Sequence, residues 1–156
     1  MDIYDESFLE CLAAFQDCGV RYLIVGGFAT NFHGYARVTS DVDIWLEDSL
    51  QNRRNLVNAL EKIGLGKIDE LMTAEFVPGF CEIMLNDGTY MDLMGKILGF
   101  EQIDFEECYQ LAERSNIENI EMYFLHFNHL LTSKQQSHRI KDQLDAQELL
   151  KIQQKQ

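Results

Sequence analysis

The sequence predicts an α+β fold, with helices packed on a mixed β-sheet and further helices at the C-terminal end. Two observations carry this. Strand-length apolar runs at 21–25, 41–46, 81–94 and 120–125 are separated by stretches in which apolar residues recur every three or four positions. The composition then fits one globular unit. A chain of 156 residues, 46% hydrophobic and with a single proline, can bury a sizeable core and is too apolar to stay disordered. The expected domain is residues 1–156.

Residues 5–17 should form the first helix, with Phe8, Leu12 and Phe15 on one face and Gly19 as its stop. Cys11 and Cys18, seven apart, share a face of that helix, as core residues do. A strand over 21–25 runs into Gly26-Gly27, a short helix over 27–34 follows, and the next strand is 41–46. Asp48-Ser49-Leu50-Gln51 can cap a helix that reaches Ile63, with Leu56, Leu60 and Ile63 facing inward and Gly64 ending it. The stretch 65–80 receives no element. Cys81 to Leu85, Asn86-Asp87-Gly88 and Thr89 to Met94 spell a β-hairpin with a glycine-containing turn. A helix over 104–114, a strand over 120–125 and helices over 127–135 and 139–153 complete the chain, and the polar end from Lys151 to Gln156 frays. Phe124 and Phe127 are core positions.

Chemistry concentrates between residues 25 and 46. Asp41 and Asp43 stand one residue apart in an apolar strand, so they project side by side while Val42, Ile44 and Leu46 pack the other way. Each charge disfavours ionisation of its neighbour. A hard divalent cation relieves that repulsion, and Mg2+ is usually held by one or two carboxylates plus substrate phosphates. The plainer alternative is a pair of solvated strand-edge acids. An EF-hand is excluded, because Leu46 occupies the place of the required glycine. Trp45 shares the acid face; packing beneath the site is favoured over stacking on a base. Asp92, between Met91 and Leu93, is the one acid in an apolar strand, and a buried carboxylate without a partner is expensive. A strand position facing solvent is the plainer account of Asp92, and Glu82 is a weaker candidate than Asp92 for an acid acting beside Asp41 and Asp43.

Gly26 and Gly27 fall where a strand turns into a helix. Without Cβ atoms the backbone there can approach a ligand, and the unpaired N–H groups of the next turn suit a phosphate. An ordinary tight turn is the competing account. No Gly-Lys-Ser/Thr follows, which excludes a P-loop, and no third glycine stands where a dinucleotide fingerprint needs it.

Gly26-Gly27, thirteen residues and then Asp41-Val42-Asp43-Ile44 resembles the signature of the DNA polymerase β-like nucleotidyltransferase superfamily. The match is closer to its small prokaryotic members, the minimal and toxin–antitoxin nucleotidyltransferases. In these a His near a helix end precedes Arg-x-Thr-x-Asp-x-Asp, and His33, Arg37, Thr39, Asp41 and Asp43 stand in those places. Ser133-Lys134 followed by Arg139-Ile140-Lys141-Asp142-Gln143-Leu144-Asp145 is similar to the tail of the toxin-like members. The chain departs from them just before Lys134, where Leu125-His126-Phe127-Asn128-His129 replaces their proline and acidic helix start.

The resemblance covers roughly residues 20–150, weakly over 64–80, and implies a nucleotidyltransferase fold. It implies Asp41, Asp43 and Asp92 as catalytic, Mg2+- or Mn2+-binding residues. Gly26, Gly27, Arg37, Thr39, Ser40 and Lys134 would then contact the nucleotide phosphates. Arg139, Lys141, Asp142 and Asp145 would fix the two last helices against each other; a solvated charge run is the equal alternative. The implied reaction moves a nucleoside monophosphate from an NTP to a hydroxyl of tRNA, a protein or a small molecule. An antitoxin-like protein that binds a basic partner, or a nucleotide sensor, are the other functional classes. His33 is expected to finish its helix rather than touch substrate.

The net charge of −13 argues against broad binding to a phosphate backbone, which needs a basic face. The few cations gather near the motif, leaving room for an NTP, a local stretch of RNA or a basic protein partner. The four cysteines show no metal spacing, and His126, His129 and His138 show none either. No signal peptide or membrane-spanning run is visible, so no membrane role is expected and a reducing cytoplasm fits best.

Overall fold

The computed structural model describes residues 5–156. Among them the first helix, α1 (Glu6–Cys18), begins where the Asp5 carboxylate accepts the Ser7 N–H at 3.2 Å. It ends where Gly19 takes φ 74° and its N–H and that of Val20 close onto Gln16 and Phe15. The further helices are α2 (Gly26–Phe32), α3 (Leu50–Lys62), α4 (Phe105–Gln110), α5 (Phe127–Gln135) and α6 (Ile140–Gln154). Ser49 caps α3 by accepting the Asn52 N–H, as its sequence suggests.

The strands are β1 (Tyr22–Val25), β2 (Val42–Leu46), β3 (Glu82–Met84), β4 (Tyr90–Met94), β5 (Glu113–Ile117) and β6 (Ile120–Phe124). They form one mixed sheet in the order β3-β4-β2-β1-β6-β5. β1 runs antiparallel to β2 and parallel to β6, and β2 runs parallel to β4. This is the expected α+β arrangement. Paired residues share a sheet face, so Val42 lies beside Met91 and Asp43 beside Asp92 on alternate faces. α1 covers the Val42 face, where Cys11 touches Met91. Phe105 covers the Asp43 face further along, edge-on to Trp45. Trp45 is fully buried and donates its Nε1–H to the Gly95 carbonyl at 2.9 Å, so it packs beneath the site.

Two stretches differ from expectation. The helix expected over 104–114 stops at Gln110, and Glu113–Ile117 forms the edge strand β5. Glu118 and Asn119 adopt φ of 51° and 66°, a two-residue turn that folds β5 back onto β6. β5 is largely exposed and carries no apolar alternation, so periodicity could not mark it. The unassigned stretch contains a 3₁₀ turn at Asp69–Met72. Arg53 of α3 anchors it, donating to the carbonyls of Leu71 and Ala74 and lying over the Phe76 ring. No helix among the described residues is long and apolar enough to cross a membrane.

Asn52 is the polar pin that joins α3 to the sheet. It is 3% exposed, accepts the Arg21 N–H at 2.8 Å and donates to the carbonyls of Arg21 and Glu47 at 2.9 and 2.7 Å. Asn52→Leu removes three hydrogen bonds and strands two backbone groups, the Arg21 N–H and the Glu47 carbonyl, since the Glu47 N–H still reaches the Arg21 carbonyl, and is expected to cost about 2 kcal/mol or more. A urea denaturation midpoint equal to wild type would contradict this.

Candidate active site

A cleft of about 620 Å³ opens above the β1, β2 and β4 ends, and Asp41, Asp43 and Asp92 all line it. Strand pairing brings this about. Asp43 and Asp92 are register partners on adjacent parallel strands, and Asp41 precedes Asp43 by one alternation. Glu82 sits one strand further out, exposed on edge strand β3. The three acids therefore converge from two segments almost 50 residues apart, with Asp41 the most exposed.

The electrostatics are strained. Burial, together with Asp92 and Asp41, pushes the Asp43 carboxyl up to about 6, against the pull of Lys134 and Arg139. Asp92 is also raised, by burial first, although the Gly79 N–H donates to its Oδ2 at 2.9 Å. Its other oxygen, Oδ1, is buried and has no hydrogen-bond partner among the described residues. An orphaned carboxylate oxygen beside a second buried carboxylate suits a hard cation. Among the described residues no three His, Cys, Asp or Glu side chains are grouped to hold a metal by themselves. The donor set thus fits a cation that takes part of its shell from a substrate.

The glycine pair is required by these neighbours. Gly26 has φ +65°, and a Cβ there would run into the Asp43 carboxylate. A Cβ on Gly27 would lie 2.5 Å from Thr39 Oγ1. Both glycines line the cleft with Arg37, Thr39, Ser40 and Lys134.

Arg37 and Lys134 are engaged beyond lining the cleft. Arg37 donates in bidentate fashion to Asp145, Nε to Oδ1 at 2.7 Å and Nη2 to Oδ2 at 2.8 Å. Lys134 lies 2.8 Å from Asp142 Oδ1 and 3.0 Å from Asp145 Oδ2. Ser137 Oγ donates to the second Asp142 oxygen at 2.7 Å. Burial would raise Asp142, but the Lys134 and Ser137 bonds outweigh it and hold the carboxyl below its usual value. Asp142 and Asp145 thus tie α6 to α5, as the resemblance implies, and Asp145 also ties α6 to the segment that carries Asp41, which the sequence does not foreshadow. Arg139 and Lys141 line the cleft and form no ion pair in that tie among the described residues, although the Arg139 charge helps to hold Asp142 ionised.

His33 finishes α2, and its Nε2–H donates to the Leu125 carbonyl at 2.8 Å. The wall formed by Pro78, Gly79, Met94, Lys96, Ile97 and Leu98 has no counterpart in the sequence reasoning. Its one usable signal was Pro78-Gly79, a turn pair inside the unassigned stretch.

No protein-family model and no curated protein matches the chain. Its fold does match solved structures. The lincosamide antibiotic adenylyltransferase LnuA, with lincomycin bound, superposes with a TM-score of 0.60 at 17% identity, covering 97% of this chain and 99% of that one. An antigenic nucleotidyltransferase-like protein from Paracoccidioides brasiliensis gives 0.53 at 18% identity, covering 92% of this chain and 74% of that one. The chain has the α+β fold of these nucleotidyltransferase structures.

Proposed function

We propose that this protein, acting as one domain in the cytoplasm, transfers a nucleoside monophosphate from an NTP to a hydroxyl of a small molecule. The observation that carries this is the pairing of Asp43 with Asp92, next to Asp41 and the Gly26-Gly27 wall of the cleft. Asp41 and Asp43 would hold Mg2+ or Mn2+ together with triphosphate oxygens, and Asp92 would complete the shell on the acceptor side. When bound, the cation neutralises the charge that builds on the transferring phosphate. Gly26, Gly27, Thr39 and Ser40 would lie against the phosphates, and Lys134 has one N–H left to offer. The acceptor oxygen bonds to the α-phosphorus. The bond from that phosphorus to the bridging oxygen breaks, and its electron pair leaves with pyrophosphate. Asp92, whose raised affinity for a proton suits a base, takes the hydroxyl proton.

A small-molecule acceptor is favoured over RNA. The cleft lies in the size range of small-ligand sites, and a net charge of −13 repels a polyanion. LnuA, which spans nearly the same length, is an adenylyltransferase with an antibiotic bound. The test uses α-labelled NTPs and Mg2+ with lincomycin, a small-metabolite extract, or total RNA in separate reactions. Label should move to a small molecule with release of pyrophosphate. Label on RNA would replace the acceptor class. NTP binding without transfer would favour a sensor. Absence of both, with capture of a basic partner, would favour the antitoxin-like role, which the net charge supports.

A further inference from the structure

Three cations line the cleft with no ion-pair partner among the described residues, Lys96 on the wall with Pro78 and Gly79, and Arg139 and Lys141 at the start of α6. Arg37 and Lys134 face Asp145 and Asp142, so this buried cluster of two cations and two anions offers a substrate almost no net charge. A triphosphate entering a cleft with three further carboxylates needs uncompensated positive charge. Arg139 and Lys141 line the same cleft, are exposed, and have no carboxylate within ion-pair distance among the described residues.

We propose that Arg139 and Lys141 hold the β- and γ-phosphates of the NTP, the part that leaves as pyrophosphate, while Arg37 and Lys134 chiefly build the wall behind them. This rests on the nucleotidyl-transfer function proposed above. The guanidinium offers a planar fork for two phosphate oxygens, and the ammonium adds a mobile point charge. Their exposure leaves them free to turn inward on a ligand. The Arg139 backbone N–H is already fixed by Ser137 Oγ at 3.1 Å, so side-chain changes leave the start of α6 in place.

The test is calorimetric titration of the full chain with each of the four NTPs and the matching NMPs, with Mg2+ and without acceptor. Arg139→Ala and Lys141→Ala should each weaken NTP binding about tenfold or more. NMP binding should not change, and Arg139→Lys should recover part of the loss. The melting temperature should match wild type, because both side chains are exposed. An equal loss for NTP and NMP would overturn the assignment to the outer phosphates. So would full NTP affinity in the double variant, or a loss of NTP preference in Lys96→Ala instead. A wild-type protein that binds no NTP defeats the transfer function itself, and the proposal with it.

Discussion

Asp43→Asn should make the metal-free protein more stable and leave it inactive. The folded Asp43 carboxyl titrates at about 6, above its ordinary value of 3.8, with burial as the leading cause. The folded protein therefore keeps a proton that the unfolded chain has lost. Stability falls as pH rises from about 4 to about 6 and then levels off, because the charged form is the disfavoured one. A shift of roughly two units corresponds to about 3 kcal/mol at neutral pH. The amide carries no charge, so the variant should exceed wild type by up to about that amount in urea unfolding at pH 7. The two should converge near pH 4. Mg2+ with NTP closes most of that gap, because wild type gains about 2.7 kcal/mol at a hundred times the dissociation constant. Nucleotide transfer should drop by on the order of 10³ or more. Equal stability of the two proteins at pH 7 would mean that the charge is already relieved.

The same numbers explain how much could be read in advance. The alternation that places Asp41 and Asp43 on one face was visible, because a strand's period of two is set by its backbone. The resemblance implies a third carboxylate on a later strand, and the isolation of Asp92 between Met91 and Leu93 singles it out, whereas its register with Asp43 is a property of the folded sheet. The turns at Gly19 and Ser49 were legible because caps are local chemistry. β5 was not, since an exposed edge strand is specified by its hairpin turn and its partner. Nor could the sequence show that Arg37 answers Asp145 from 108 positions away. Spacing identifies which charges share a motif, whereas only the fold decides which of them neutralise one another.

Asp145→Ala is expected to be the most destabilising single change near the cleft. Asp145 is fully buried and meets Arg37 through both oxygens and Lys134 through one. Removing it leaves two cations in a site where each side chain is largely shielded from water. Breaking a buried ion group by deleting one partner costs about 3–5 kcal/mol, far more than the group contributes against an apolar replacement. The loss should appear as an earlier urea midpoint with unchanged slope. Arg37→Met added to Asp145→Leu should recover much of it, since the unpaired guanidinium goes too. If the two changes add to within about 0.5 kcal/mol, the pair is not coupled and the cluster is not what holds the wall. Coupling would show that α6 is fastened to the segment leading into Asp41 and Asp43. The acids of β2 would then depend for their aim on a residue a hundred positions downstream.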